Sequence, residues 1–256
     1  MFAKKAHFKL AFFYFCTMTK LSVNINKIAT LRNARGGETP SVTEAAVKIQ
    51  EFGAHGITIH PRPDERHITR KDVYDLKPLV TTEFNIEGNP HRPFIEMVLE
   101  VKPEQVTLVP DADDAITSNA GWDTRKHLDF LTDIIAEFKN AGIRTSIFLD
   151  PNPQLVEYAA KTGTDRIELY TEAYARDYSA NKEKAIQTYY DTAVVASEYG
   201  LGINAGHDLS LDNLKYFSDH IPNLLEVSIG HALISEALYM GMENTVQAYL
   251  KRLARW

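Results

Sequence analysis

The chain has 256 residues, 44% of them hydrophobic and 24% charged, with a formal charge of -6 and a pI near 5.9. That is enough apolar material for one large domain or two small ones, and the acidic balance argues against a broadly basic nucleic-acid or anionic-membrane surface. The single cysteine, Cys16, excludes an intrachain disulfide and a thiolate zinc site.

Residues 1–18 read as an extension ahead of the domain. A few lysines precede the apolar run 10–16, which is short for a secretory signal and lacks a small-residue cleavage site, so an upstream start before Met18 or a disordered tail fits better than export. No other run approaches the roughly 20 apolar residues of a membrane span, and a cytoplasmic protein is expected. From residue 19 onward, short β-branched runs alternate with helical patterns. The predicted strands are 21–25, 56–60, 82–87, 105–110, 145–150, 166–171, 202–206 and 226–230. Helical spacing falls on 43–52, 94–101, 154–161, 184–199 and 211–217, and most clearly around Leu128, Leu131, Ile135 and Phe138, which share one face. Phe52-Gly53, Ala141-Gly142 and Tyr199-Gly200 look like left-handed helix ends. Eight strand-helix units within 19–256 predict the α/β class and a single (β/α)8 TIM barrel. The runner-up, an open Rossmann-like sheet, lacks a G-x-G-x-x-G after its first strand.

In a barrel the site lies at the C-terminal ends of the strands. Asn24 and Asn26, His60, Glu87, Glu168 and Tyr170, His207, and Gly230-His231 occupy those ends. A lone His or Glu there is more often a hydrogen-bonded structural residue, but two of each on one mouth point to proton transfer. Arg32, Arg35, Arg62, Arg66 and His67, in the first two loops, are expected to surround the same mouth and hold oxyanions. Gly230-His231, opening the last helix, suits a phosphate, because a helix start presents free N–H groups. The stretch TSNAGW, 117–122, is the expected lid.

The motifs NINKIATLRNARGG (24–37), GITIHPRPDERHI (56–68), FNIEGN (84–89), NAGHDLS (204–210) and SIGHALI (228–234) resemble, in order, those of the pyridoxine 5'-phosphate synthase family. The resemblance implies a (β/α)8 barrel that joins 1-deoxy-D-xylulose 5-phosphate to 3-amino-2-oxopropyl phosphate, releasing phosphate and water. It implies no cofactor, no metal and a homo-octamer. By motif, His60, Glu87 and His207 would move protons and Glu168 would stabilise positive charge. Asn24, Arg35, Asp208, Gly230 and His231 would bind the aminoketone phosphate; Arg62, His67 and Thr117 would bind the sugar phosphate. Three departures stand out: Asn26-Lys27 where the family often has Asp-His, Asp208 where Gly often follows the histidine, and Glu172 where Gly is frequent. Three other readings stay open on the residues: a metal enzyme with His60, Glu87 and His207 as ligands, a Schiff-base aldolase using Lys27, and a phosphosugar-binding barrel without turnover.

Overall fold

A computed structural model describes residues 18–110 and 120–254; the rest of the N-terminal extension, with Cys16, and Thr117 lie outside the described residues. Eight parallel strands close in sequence order, β1 (Lys20–Asn24), β2 (Gly56–Ile59), β3 (Glu83–Gly88), β4 (Gln105–Leu108), β5 (Arg144–Leu149), β6 (Arg166–Leu169), β7 (Gly202–Gly206) and β8 (Leu224–Ile229), with β8 pairing back onto β1. The predicted barrel is therefore present, with strand boundaries moved by one to two residues. Around it run α1 (Asn26–Asn33), α2 (Val42–Glu51), α3 (Arg70–Leu76), α4 (Arg92–Val101), α5 (Leu128–Asn140), α6 (Pro153–Lys161), α7 (Glu172–Tyr178), α8 (Lys182–Glu198), α9 (Leu214–His220), α10 (His231–Met240) and α11 (Met242–Leu253).

Local chemistry explains most of the boundaries. Ser41, Asn152 and Asn181 accept backbone N–H bonds at the starts of α2, α6 and α8, and Thr69 forms a reciprocal capping box with Asp72 at α3. The three expected left-handed glycines follow α2, α5 and α8, with φ of 96°, 81° and 74°. Helices α1, α3 and α7 were not anticipated: each is eight residues or fewer, too short for a periodic stripe to stand out. The predicted helix at 211–217 begins later, at Leu214, because the Asn213 side chain accepts from the Ser210 N–H (2.9 Å) and holds the preceding residues in a turn. The helix expected at His231 is two, α10 and α11, broken at Gly241. Among the described residues no helix is long and apolar enough to cross a membrane.

Most strands alternate, with a register shift between Ile203 and Asn204 of β7, and the alternation sorts the core. Leu21, Val23, Ile57, Ile59, Phe84, Ile86, Val106, Leu108, Ile167, Leu169, Val227 and Ile229 belong to the apolar core, whereas Ser22, Thr58, Asn85, Thr107, Glu168 and Asn204 meet one another across the barrel. The inside of the barrel is thus polar, and many of its buried groups are tied by hydrogen bonds, although Ser146 Oγ and Ser228 Oγ have no partner among the described residues. At the strand starts Arg144 bonds Glu83, and Arg166 lies 3.4 Å from Glu226 and 3.1 Å from the Asn204 carbonyl oxygen.

Burial, helped by the neighbouring Glu83 carboxylate, pushes the Glu226 carboxyl up to about 8. Its contribution to stability is fully present below the unfolded carboxyl range and is lost as pH rises through about 8, because the unfolded chain ionises first. Glu226→Gln, fixed in the neutral form, should flatten the fall of the urea midpoint between pH 6 and pH 9. Parallel midpoint curves for the two proteins would rule this account out.

Candidate functional site

A cavity of about 560 Å³ opens at the C-terminal ends of the strands. Its walls include Asn24, His60, Arg62, His67, Glu87, Glu168, His207, Asp208, Gly230 and His231, so nearly all the residues picked from the sequence converge there. Strand parity explains the convergence. His60 follows Thr58 on the inward row of the β2 segment, Glu87 follows Asn85 on β3, and Glu168 follows Arg166 on β6.

The first loop builds one wall. The Asn24 side-chain amide donates to Glu87 Oε2 (3.4 Å) while its carbonyl oxygen accepts from the Asn26 N–H (3.1 Å). The Asn26 side chain in turn accepts from the His60 N–H (3.0 Å), fixing the backbone that carries the imidazole. His60 is buried, and burial, with Arg62 and His67 beside it, holds its pKa well below the ordinary histidine value. It is therefore a neutral acceptor at neutral pH, and its 4.0 Å approach to Glu87 is a contact rather than an ion pair. On the far side, burial raises the Glu168 carboxyl to about 7, against the pull of His207 and the Thr107 hydroxyl. Glu168 thus changes charge in the physiological range.

The anion-binding wall differs from expectation. Arg62 is buried at the cavity, and His67 stands with its ring 6.3 Å from that of His60. Burial, then Arg62 and Lys27, lower His67 to about 4. His67 Nδ1 accepts from the Ile68 N–H (3.0 Å), so the neutral ring presents Nε2–H as a donor. Arg66 pairs with Asp64 (2.6 Å) yet still lines the cavity.

Arg32 and Arg35 do not reach the mouth. Helix α1 begins at the cavity with Asn26 and Lys27 and carries the chain about 12 Å away over its eight residues, at about 1.5 Å per residue. Arg32 is buried at its far end and forms a two-pronged pair with Asp72, one prong at 2.8 Å, while also donating to the His67 carbonyl (3.2 Å). Asn33 donates to the same carbonyl (2.8 Å). Arg32 is therefore an anchor for the loop that carries His67, not an anion ligand. Arg35 is exposed beyond the helix. The end of the expected lid is also fixed: the Gly121 N–H donates to Asp150 (3.1 Å), and buried Trp122 donates its indole N–H to the Leu108 carbonyl (3.0 Å). Among the described residues no three His, Cys, Asp or Glu side chains form a group that could hold a metal ion.

The feature that sequence reasoning passed over is the pairing of His207 with its neighbour. His207 Nδ1 lies 2.8 Å from Asp208 Oδ2, and the Tyr170 ring meets the imidazole edge-on at 5.7 Å.

The family model of the pyridoxal phosphate biosynthesis protein PdxJ matches residues 21–255. A pyridoxine 5'-phosphate synthase from Christiangramia forsetii is 65% identical over 236 residues, covering 92% of this chain and 100% of the relative; one from Flavobacterium johnsoniae matches equally well. Solved structures with the same fold include 3-keto-L-gulonate-6-phosphate decarboxylase from Vibrio cholerae, with a TM-score of 0.60, 10% identity, and coverage of 93% of this chain and 98% of the other. Phosphoribosylanthranilate isomerase from Thermotoga maritima is similar at a TM-score of 0.57 and 12% identity, with 92% and 98% covered. At such identities the likeness is one of fold.

Removing the Arg32 guanidinium leaves a buried carboxylate short of its partner. Arg32→Met should lower stability by about 3 kcal/mol, read as the urea midpoint, because a broken buried pair strands a charge. A loss below about 0.5 kcal/mol, the range of ordinary surface substitutions, would show that Arg32 is not an anchor.

Proposed function

This chain belongs to the PdxJ family of pyridoxal phosphate biosynthesis, and from that premise we propose how its cavity performs the reaction. It is an enzyme of vitamin B6 biosynthesis and acts as a pyridoxine 5'-phosphate synthase. The reaction joins 1-deoxy-D-xylulose 5-phosphate to 3-amino-2-oxopropyl phosphate and releases inorganic phosphate and water. The observation that carries the proposal is the ring of His60, Glu87, Glu168 and His207 around one cavity whose lining also holds Arg62 with His67 and Gly230 with His231.

The amine and ketone condense to an imine, phosphate is eliminated, and an enamine carbon attacks a carbonyl to close the ring, with loss of water on the way to aromaticity. Each step needs a proton moved. His60, neutral and bonded through its backbone to Asn26, serves as an acceptor. Glu87, held by the Asn24 amide, is a second acid-base group. His207 is the proton donor. Glu168, when ionised, offsets positive charge on the imine, and its value of about 7 lets it do so without a permanent buried charge. Arg62 and the Nε2–H of His67 face the sugar phosphate; Gly230 and His231, at the start of α10, with Asn24 beside them, face the aminoketone phosphate. Arg35, expected as a ligand by resemblance, is exposed and is not among the residues lining this cavity, and Thr117 lies outside the described residues. A cytoplasmic homo-octamer belongs to the same proposal. Leu238 and Tyr239, 72% and 92% exposed at the end of α10, are apolar surface that an assembly would cover, and light scattering after size exclusion tests it.

Mixing the two phosphorylated substrates with purified protein should yield pyridoxine 5'-phosphate and free phosphate in equal amounts. Glu87→Gln should lose at least about 100-fold in kcat, the usual scale of acid-base catalysis; turnover within twofold of the parent would remove Glu87 from the mechanism. The kcat/KM profile should carry a rising limb near pH 7, set by ionisation of Glu168, which is absent in Glu168→Gln. A limb that survives the substitution belongs to another group.

A further inference from the structure

The turn after β7 is built to hold two adjacent side chains together. Gly206 has no room for a Cβ, which would lie 2.0 Å from the Ser228 carbonyl oxygen of β8, so the strand ends pressed against its neighbour. The Thr171 hydroxyl, fully buried, donates to the Gly206 carbonyl (2.6 Å) and accepts from the Asp208 N–H (3.4 Å). The Asn213 amide donates to the Asp208 carbonyl (3.3 Å). Between these supports His207 adopts φ of 35°, a left-handed conformation uncommon outside glycine. Neighbours in an extended strand point to opposite faces; here the turn brings the His207 and Asp208 side chains to 2.8 Å.

An ionised carboxylate only accepts, so the bond fixes the proton on Nδ1 and leaves Nε2 as the end that gives or takes a proton. The titratable groups facing His207 are Asp208 on its own turn, Glu168 and Tyr170 from the β6 segment, and His60 across the mouth. The Asp208 carboxylate bonds a ring nitrogen directly, at 2.8 Å. It also has little reason to face a phosphate, which it would repel.

We propose that Asp208 is a positioning residue, whose carboxylate sets the tautomer and orientation of His207 for proton donation. The inference rests on the proton-donor assignment of His207 made above. Asp208 thereby acts on the imidazole rather than on the aminoketone phosphate expected from the motif.

The test compares Asp208→Asn, Asp208→Gly and His207→Gln in the full-length protein, with circular dichroism melts to confirm folding. In Asp208→Gly, kcat should fall about 10-fold or more, the usual scale for losing a partner that orients a functional histidine. In the same variant nitrogen NMR should find the His207 proton redistributed between Nδ1 and Nε2, since the acceptor that held it on Nδ1 is gone. KM for each substrate should stay within about twofold, well under the tenfold that 1.4 kcal/mol of binding represents. Asp208→Asn keeps an acceptor, so nitrogen NMR should still find the His207 proton on Nδ1 and kcat should fall less than in Asp208→Gly. If Asp208→Gly keeps the parent kcat and tautomer, or alters only KM for the aminoketone phosphate, while His207→Gln is inactive, the inference falls and the donor assignment stands. An active His207→Gln overturns the donor assignment and the inference with it.

Discussion

Because a strand repeats every two residues, the side chain that reaches the mouth of this barrel shares its parity with the side chain that fills the barrel below it. Here the filling is polar. Ser22, Thr58, Asn85, Thr107 and Glu168 form a chain of hydrogen bonds of 2.7, 3.4, 3.1 and 3.5 Å that passes through β1, β2, β3, β4 and β6. A slip of one residue in any of these strands would turn its polar row toward the apolar layer under the helices and strand its partners in the next strand. The same chain ends on a carboxyl of the site. The floor of the cavity is therefore as stiff as the register of the sheet, and Glu168 inherits its environment from residues four strands away.

A second tie governs the anion-binding wall. The His67 carbonyl receives Arg32 and Asn33 from α1, and Arg32 is itself held by Asp72 at the start of α3. The loop between β2 and α3 has two prolines near its start, which fix φ and remove N–H donors, and this clamp near its end. The change of composition after Ile59 marks the passage from a strand buried on both faces to a loop whose shape is set by such clamps. The electrostatics follow: burial first, then Arg62, Lys27 and Arg66, keep His67 uncharged, so the ring contributes a directional donor while the arginines contribute charge.

The barrel was legible because its strands are short, β-branched and evenly spaced, and the mouth was legible because strand ends carry polar residues only where something uses them. Other features were not. Whether the arginine at position 32 turns to the mouth or to an aspartate 40 residues on depends on a tertiary contact that no local pattern encodes. The T-x-x-D at Thr69 to Asp72 does announce a helix start, and attending to it would have revealed α3 and a partner for Arg32. The polar barrel interior was hidden because Thr and Ser in a strand pass as ordinary β-formers. Asp208 was visible as a departure, but a departure reads as a lost contact until the turn shows which neighbour it has gained.

Helix α1 touches the site at one end and the clamp at the other. Asn26 must meet the His60 N–H while Arg32 meets Asp72, and both contacts are made by one rigid rod. Adding or deleting a residue between them would rotate one end against the other by about 100° and shift it by about 1.5 Å. The number of residues from 26 to 32 is thus set by helical phase, independently of which side chains occupy the positions between. Grafting this loop onto another barrel would require transplanting the α3 cap along with it, since the rod has no fixed angle without its second bearing.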